Sequence, residues 1–278
     1  MTSYQGGKKR LGKKIYAVIK LIEDDLLDEN EELPPYFEPF VGMASVLKEF
    51  SGEDRQLYAC DANQDLVCMW KALQKGWKPP KSCSEKRYKQ LRDSDEVSAE
   101  RCFVGCAASF GGVYFSSYRR NDRQDKVGSA YRALLSSAGL VRDVTFLNPR
   151  SYLDFSPKGA TVYCDPPYAG NRLQSSSSKR VARARLFHNF DHDAFWERMR
   201  DWSRNNIVIV SESNAPSDFK KVWEDLGWVH TGPHRHTKKF PECLYVHDVI
   251  YGALSNGARR QISRIGKKNK SRIRTRAR

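Results

Sequence analysis

The tetrapeptide Asp165-Pro166-Pro167-Tyr168 leaves a strand-like run, Thr161-Val162-Tyr163-Cys164, and carries the clearest chemistry in the chain. The carboxylate of Asp165 can accept a hydrogen bond from one N–H of a planar amine. Pro166 and Pro167 have no N–H and a fixed φ, so they stiffen the turn and can aim a carbonyl at the amine's second N–H. Tyr168 offers a ring face on which a base can stack. Such a set suits one task, holding an aromatic amine while its nitrogen attacks an electrophile. For Asp-Pro-Pro alone the plainer reading is a proline-rich strand exit with a capping aspartate. The tyrosine and two further clusters favour chemistry.

Those clusters suit a nucleoside cofactor. Phe40-Val41-Gly42-Met43-Ala44 falls where a predicted strand turns into a helix, and a small residue there lets backbone approach a ligand. Asp61 ends the next predicted strand, 19 residues beyond Gly42, a spacing that suits an acid taking both hydroxyls of a ribose. Each signal is weak alone. With Asp165, all three fall at carboxyl ends of predicted parallel strands, on one rim of one sheet.

The elements that must position them alternate along the chain. Leu11 to Leu27 has a helical apolar face in Ile15, Val18, Ile19, Ile22 and Leu26. Tyr36 to Val41 reads as a strand, Ala44 to Phe50 as a helix, Gln56 to Cys60 as a strand and Asn63 to Leu73 as a helix. Val144 to Leu147 and Ile207 to Val210 read as strands, the latter preceded by a helix over His192 to Ser203. Phe219 to Leu226 reads as a helix and Leu244 to Tyr251 as a closing strand. The fold class is therefore α/β, a doubly wound, mostly parallel sheet.

Residues 78–143 break that rhythm. They open on Lys78-Pro79-Pro80 and interleave Phe110, Tyr114, Phe115 and Tyr118 with Arg119, Arg120, Arg123, Lys126, Arg132 and Arg142. The mixture suits a nucleic-acid contact surface, and equally an insertion with a small aromatic core of its own. The predicted organisation is a catalytic domain over 1–77 and 144–252, a small inserted target-recognition module over 78–143 and a disordered basic tail over 253–278.

A net charge of +15 over 278 residues points to a polyanionic partner. From Ala258 to Arg278 there are ten Lys or Arg and no acid, a segment able to bind phosphates without reading sequence or to serve nuclear import. No apolar run approaches the ~20 residues that cross a bilayer, and the N-terminus lacks the apolar stretch of a signal peptide. Seven scattered cysteines fit free thiols in a reducing compartment. Cys102 and Cys106 have no second pair at zinc-site spacing, so no metal is expected.

The chain resembles DNA adenine-N6 methyltransferases of the Dam type, in their phage and viral form. The likeness rests on Tyr4-Gln5-Gly6-Gly7-Lys8, Phe37-Glu38-Pro39-Phe40-Val41-Gly42, Asp61-Ala62-Asn63 and Asp165-Pro166-Pro167-Tyr168. Ser109-Phe110-Gly111-Gly112, Phe190 to Trp196, Val210 to Pro216 and Glu242 to Val246 match further blocks, and the whole spans about residues 3 to 251. The resemblance implies a Rossmann-like methyltransferase fold and S-adenosyl-L-methionine as cofactor. Tyr4, Lys8, Phe40, Gly42, Asp61 and Asp165 would bind it; Asp165, Pro166, Pro167 and Tyr168 would be catalytic. Arg119, Arg120 and Arg123 would meet double-stranded DNA, with no membrane and no metal involved. A cognate restriction endonuclease is a candidate partner, a monomer or weak dimer the expected state. The cytoplasm of a bacterium or virus-infected host is the expected compartment, or the nucleus of a eukaryotic one.

The chain departs from the family pattern in three places. Ala44 stands where the family usually has a second glycine. The stretch between Asp61 and Asp165 is shorter than in bacterial relatives, so their recognition sequence does not carry over. Ala169 to Asn189, with five Lys or Arg around a serine run, reads as an added loop. Two other readings stay open: an N-methyltransferase acting on RNA or a protein amide, which commonly carries Asn in place of the motif's Asp, and an inactive DNA-binding relative, in which Asp165 or Tyr168 would be expected to drift.

Overall fold

The structure, a computed structural model, describes residues 8, 10–29, 31–120, 125–168, 190–231 and 236–265, and only the backbone of 226–231 and 236–240. Its strands are β1 Tyr36–Glu38, β2 Leu57–Ala59, β3 Val144–Phe146, β4 Thr161–Cys164, β5 Ile207–Glu212, β6 Phe219–Thr231 and β7 His236–His247. They form one sheet in the order β3-β2-β1-β4-β5-β7-β6. β1 with β4, β2 with β3 and β4 with β5 run parallel, while β7 is antiparallel to both β5 and β6. This is the doubly wound, mostly parallel, Rossmann-like sheet that the alternation predicts. The chain winds outward from β1 to β3 and returns to β4 beside β1, and open α/β sheets bind ligands beyond the carboxyl ends of strands at such a reversal.

Two compact units make up the chain. The first comprises the described residues of Met1–Arg10, Pro39–Asp154 and Leu173–Phe190. Its helix α2, Gln64–Gln74, starts where Asn63 Oδ1 accepts the N–H groups of Asp65 and Leu66, at 3.1 and 3.4 Å. The helix expected over Ala44 to Phe50 is instead a run of turns ending in a 3₁₀ turn, Leu47–Phe50. Gly42 and Ala44, at φ 46° and 51°, leave right-handed space and prevent a regular helical start.

The segment read as an inserted module folds into α3 Glu85–Asp93, α4 Ala99–Ala107 and α5 Lys126–Leu135. It clusters with the rest of Pro39–Asp154 and does not stand apart. Arg101 of α4 forms a buried ion pair with Asp65 of α2, and the Tyr114 hydroxyl donates to the same carboxylate at 2.5 Å. Burial, then the charges and hydrogen bond beside it, hold the Tyr114 phenol well above its ordinary pKa, so it stays a neutral donor.

The second unit comprises the described residues of Leu11–Glu38, Phe155–Arg172 and Asp191–Arg278. Helix α1, Gly12–Leu26, buries Ile15, Val18, Ile19 and Ile22, the face its spacing predicts. Glu23 on that face is buried, and its carboxylate accepts the Thr161 hydroxyl of β4 at 2.5 Å and pairs with Lys20 at 3.1 Å. β4 is buried along its whole length, as a central parallel strand must be. Helix α6, His192–Trp202, is capped by Asp191.

Three expectations fail in this unit. Phe219 to Leu226 is part of β6, not a helix. Phe219 and Trp223 are both buried in it, at a four-residue spacing that a helix and a strand's alternation give alike, and a bulge falls between Lys221 and Trp223. The closing strand ends at His247, and α7, Asp248–Ala253, follows; His247 Nδ1 accepts the Val249 N–H there. The tail expected to be disordered from 253 forms α8, Asn256–Arg264, which packs on α1 and β6. Ser255 caps it while bonding Asp25 through both N–H and hydroxyl, at 2.7 and 2.6 Å, and Ala258 and Ile262 are buried. Residues 266–278 lie outside the described residues. Among the described residues no helix is long and apolar enough to cross a membrane.

Candidate active site

In the first unit the glycine turn and the acid meet directly. Asp61 Oδ2 accepts the Gly42 N–H at 3.1 Å and Oδ1 accepts the Asn63 N–H at 2.9 Å. Each oxygen keeps a second lone pair, so the carboxylate can still take two hydroxyl donors. Burial raises the Asp61 pKa to about 6, against the pull of those two N–H groups. Trp70 Nε1 holds the Gly42 carbonyl at 3.0 Å, and the Ala44 N–H bonds the Val41 carbonyl at 2.7 Å. Phe40 packs with Tyr152 and Phe190, ring centroids 5.3 and 5.9 Å away. Lys8 is buried in the same unit. A carboxylate able to accept further donors, a close backbone turn and an aromatic cluster fit a nucleoside of the kind that S-adenosyl-L-methionine carries. Tyr4 lies outside the described residues.

Asp165, Pro166, Pro167 and Tyr168 belong to the second unit, directly after β4. Asp165 and Tyr168 are half-buried and Pro166 is buried. The Tyr168 hydroxyl donates to Glu242 Oε1 of β7. Beneath the turn, Tyr163 exchanges a 2.8 Å hydrogen bond with Ser211 of β5. Burial first, then the negative charges of Asp165 and Glu242, hold both Tyr163 and Tyr168 well above the ordinary phenol pKa. Glu38, buried at the end of β1, accepts the Tyr36 hydroxyl at 2.7 Å. Glu212, buried at the end of β5, accepts the N–H and hydroxyl of Ser213. Acids and neutral phenols thus gather at the carboxyl ends of β1, β4 and β5.

The candidate DNA contacts divide. Arg120 is 77% exposed and bonds Glu85 through two nitrogens, at 3.3 and 3.1 Å. Arg119 donates to the Ser109 carbonyl at 3.2 Å and lies over the Phe110 ring at 5.8 Å. Phe110 itself is 68% exposed, whereas Tyr88, Tyr114, Phe115 and Tyr118 pack ring on ring at 4.8 to 5.3 Å. The aromatic-core reading therefore holds for most of this segment and leaves Phe110 as its exposed ring. Arg123 and the loop 169–189 lie outside the described residues. All seven cysteines are free, and among the described residues no group of His, Cys, Asp or Glu could hold a metal.

Sequence reasoning named Glu242 only as part of a block and passed over Tyr163, Glu38 and Glu212 as site residues. For the buried acids the available signal was their place at strand ends, where a buried charge requires partners.

No curated protein matches the chain. Among solved structures, precorrin 8w decarboxylase from Methanobacterium thermoautotrophicum is 11% identical, with 82% of this chain and 88% of that one covered and a TM-score of 0.33. Precorrin-6y C5,15-methyltransferase from Geobacter metallireducens is 11% identical, with 82% and 86% covered and a TM-score of 0.28. The rRNA methyltransferase AviRa from Streptomyces viridochromogenes is 11% identical, with 84% of each covered and a TM-score of 0.32. Likenesses this distant carry no argument. The sequence profile of one family, by contrast, matches residues 4–142, half of the 278 residues. That stretch holds the glycine turn and Asp61, and the chain belongs to the D12 class N6 adenine-specific DNA methyltransferase family.

Proposed function

We propose that this methyltransferase acts site-specifically on DNA, moving the methyl group of S-adenosyl-L-methionine to N6 of an adenine flipped out of the duplex. The observation that carries this reading is the Asp165 to Tyr168 turn at the mouth of β4, with the Tyr168 hydroxyl held by Glu242. The lone pair of adenine N6 is delocalised into the ring, so the amine is a poor nucleophile. Asp165 accepts one N6–H and the Pro166 carbonyl the other, which favours a pyramidal nitrogen with its lone pair free to attack. The bound cofactor supplies an electrophilic sulfonium methyl. Positioning and electrostatics then suffice, and Asp165 is at most a late proton acceptor.

A base inside the duplex is out of reach, and extruding it costs a few kcal/mol. Stacking on Tyr168 offsets part of that, at roughly 1–3 kcal/mol per base. On the cofactor side, Asp61 takes the ribose hydroxyls, Phe40 and its aromatic neighbours offer a face to the adenine, and Lys8 and Tyr4 hold the charged amino-acid end. Arg119, Arg120 and Arg123, within the 78–143 segment, contact the target, and the basic residues after Arg264 bind phosphates without reading bases. Expression in a methylation-free host followed by long-read mapping tests the reading. N6-methyladenine at one short motif is expected; DNA without it would overturn the proposal.

A further inference from the structure

Because β7 runs antiparallel to β5, its N-terminal part reaches the edge of the sheet at which β4 and β5 end. Cys243 sits opposite Glu212, the last residue of β5, and Glu242 is one residue further out. There Glu242 Oε1 accepts a hydrogen bond from the Tyr168 hydroxyl. A tyrosine ring turns about two torsions near the backbone, and its hydroxyl is the far end of the lever. A partner on the hydroxyl therefore fixes where the ring points and, because a phenol O–H prefers the ring plane, also biases that plane, a charged acceptor more firmly than a neutral one. Burial keeps this phenol protonated, so the tether persists through the neutral pH range. Pro167, next to Tyr168, fixes the backbone end of the same lever.

We propose that Glu242 is a positioning residue for methyl transfer, accepting the Tyr168 hydroxyl so that the ring is held in the orientation on which the extruded adenine stacks beside Asp165. The inference rests on reading the protein as a DNA adenine methyltransferase. Glu242 acts through Tyr168 and not on the base, so its effect depends on the phenol being present.

A double-mutant cycle with the full chain and duplex DNA tests this. Tyr168→Phe keeps the ring and removes the proton; Glu242→Ala removes the acceptor; Glu242→Gln keeps an oxygen that accepts. Each of the first two lowers kcat by about tenfold, the loss of one charge-assisted hydrogen bond, and the double variant falls no further. Glu242→Gln restores most of what Glu242→Ala loses, and KM for the cofactor stays level throughout. With 2-aminopurine at the target position, ring stacking quenches its fluorescence, and Tyr168→Phe and Glu242→Ala lose that quenching equally. Additive losses in the double variant, or a wild-type rate in Glu242→Ala, would overturn the proposal. Thermal unfolding checks each variant. Should Glu242→Ala not fold, Glu242→Met, which keeps the volume without the acceptor, takes its place in the wild type and in Tyr168→Phe, and any loss in the second background counts against the idea. The wild type is assayed first: its failure to methylate DNA adenine would strike the functional reading, not the role of Glu242.

Discussion

Asp61 makes the cofactor assignment testable through pH. Two backbone N–H groups, at 3.1 and 2.9 Å, stabilise its carboxylate, yet burial outweighs them and the pKa stands at about 6. An aspartate in the unfolded chain titrates near about 3.9. The folded value is the higher one, so between about pH 4 and pH 6 the folded state binds the extra proton. The contribution of Asp61 to stability is therefore fully present below about pH 4 and is lost as pH rises through about 6. Cofactor binding runs in the opposite direction. Ribose hydroxyls donate, so they need the ionised carboxylate, which is about 99% populated at pH 8 and about 9% at pH 5 for a pKa of about 6. An apparent Kd scales with the reciprocal of the competent fraction, which gives roughly tenfold weaker binding at pH 5 than at pH 8. Titration calorimetry across this range measures it, with circular dichroism at each pH to confirm folding. Asp61→Ala is expected to bind about ten- to a hundredfold more weakly at pH 8 and to lose the pH dependence. A flat wild-type curve, or the same slope in Asp61→Ala, would refute the ribose role. Proton uptake by Asp61 favours the folded state at low pH, so unfolding linked to this residue does not produce the loss of affinity.

Asp165→Ala is expected to lower single-turnover methylation by about a thousandfold with the fold intact, and a rate within about tenfold of wild type would refute its role. Arg101→Ala leaves the Asp65 charge buried without its ion-pair partner and is expected to cost about 3–5 kcal/mol in urea unfolding; an unchanged midpoint would remove the ion pair from the account of how α4 is held to α2. Truncation after Ile265 removes seven of the ten terminal basic residues and should flatten the slope of log K for DNA against log salt by up to about 6, at about 0.9 per phosphate, without changing the methylated motif. Truncation after Tyr251 also removes α8, and it should lower the unfolding midpoint because the cover that Ala258 and Ile262 give α1 and β6 is lost. An unchanged salt slope in the shorter truncation would favour import over DNA binding.

What the sequence made legible was local. Asp165 to Tyr168 follows β4 directly, and Asp61 reaches Gly42 across the 19 residues that its spacing suggested. What it hid depends on partners far along the chain. Glu242 meets Tyr168 from 74 residues away, and only because β7 runs antiparallel. The disordered-tail reading weighed charge and missed that Ala258 and Ile262, four residues apart behind the Ser255 cap, are enough to dock one basic helix. β6 misled because its buried residues Phe219 and Trp223 are four apart, a spacing that fits a helix and a strand equally.

Ala44 lies between these cases. The sequence shows an alanine where the family usually has a second glycine. The structure puts Ala44 at φ 51°, left-handed space that costs a residue with a Cβ about 1–2 kcal/mol. Strain of this size persists where surroundings over-determine the backbone. Here they do: Trp70 holds the Gly42 carbonyl, Asp61 holds the Gly42 N–H, and the Ala44 N–H bonds Val41. Two of these three bonds fix Gly42, one of them from Asp61, the proposed ribose acceptor. The conformation of the turn is thus tied to the proposed cofactor site, because one of the bonds that hold the left-handed alanine's neighbour in place is the bond that sets Gly42 against Asp61.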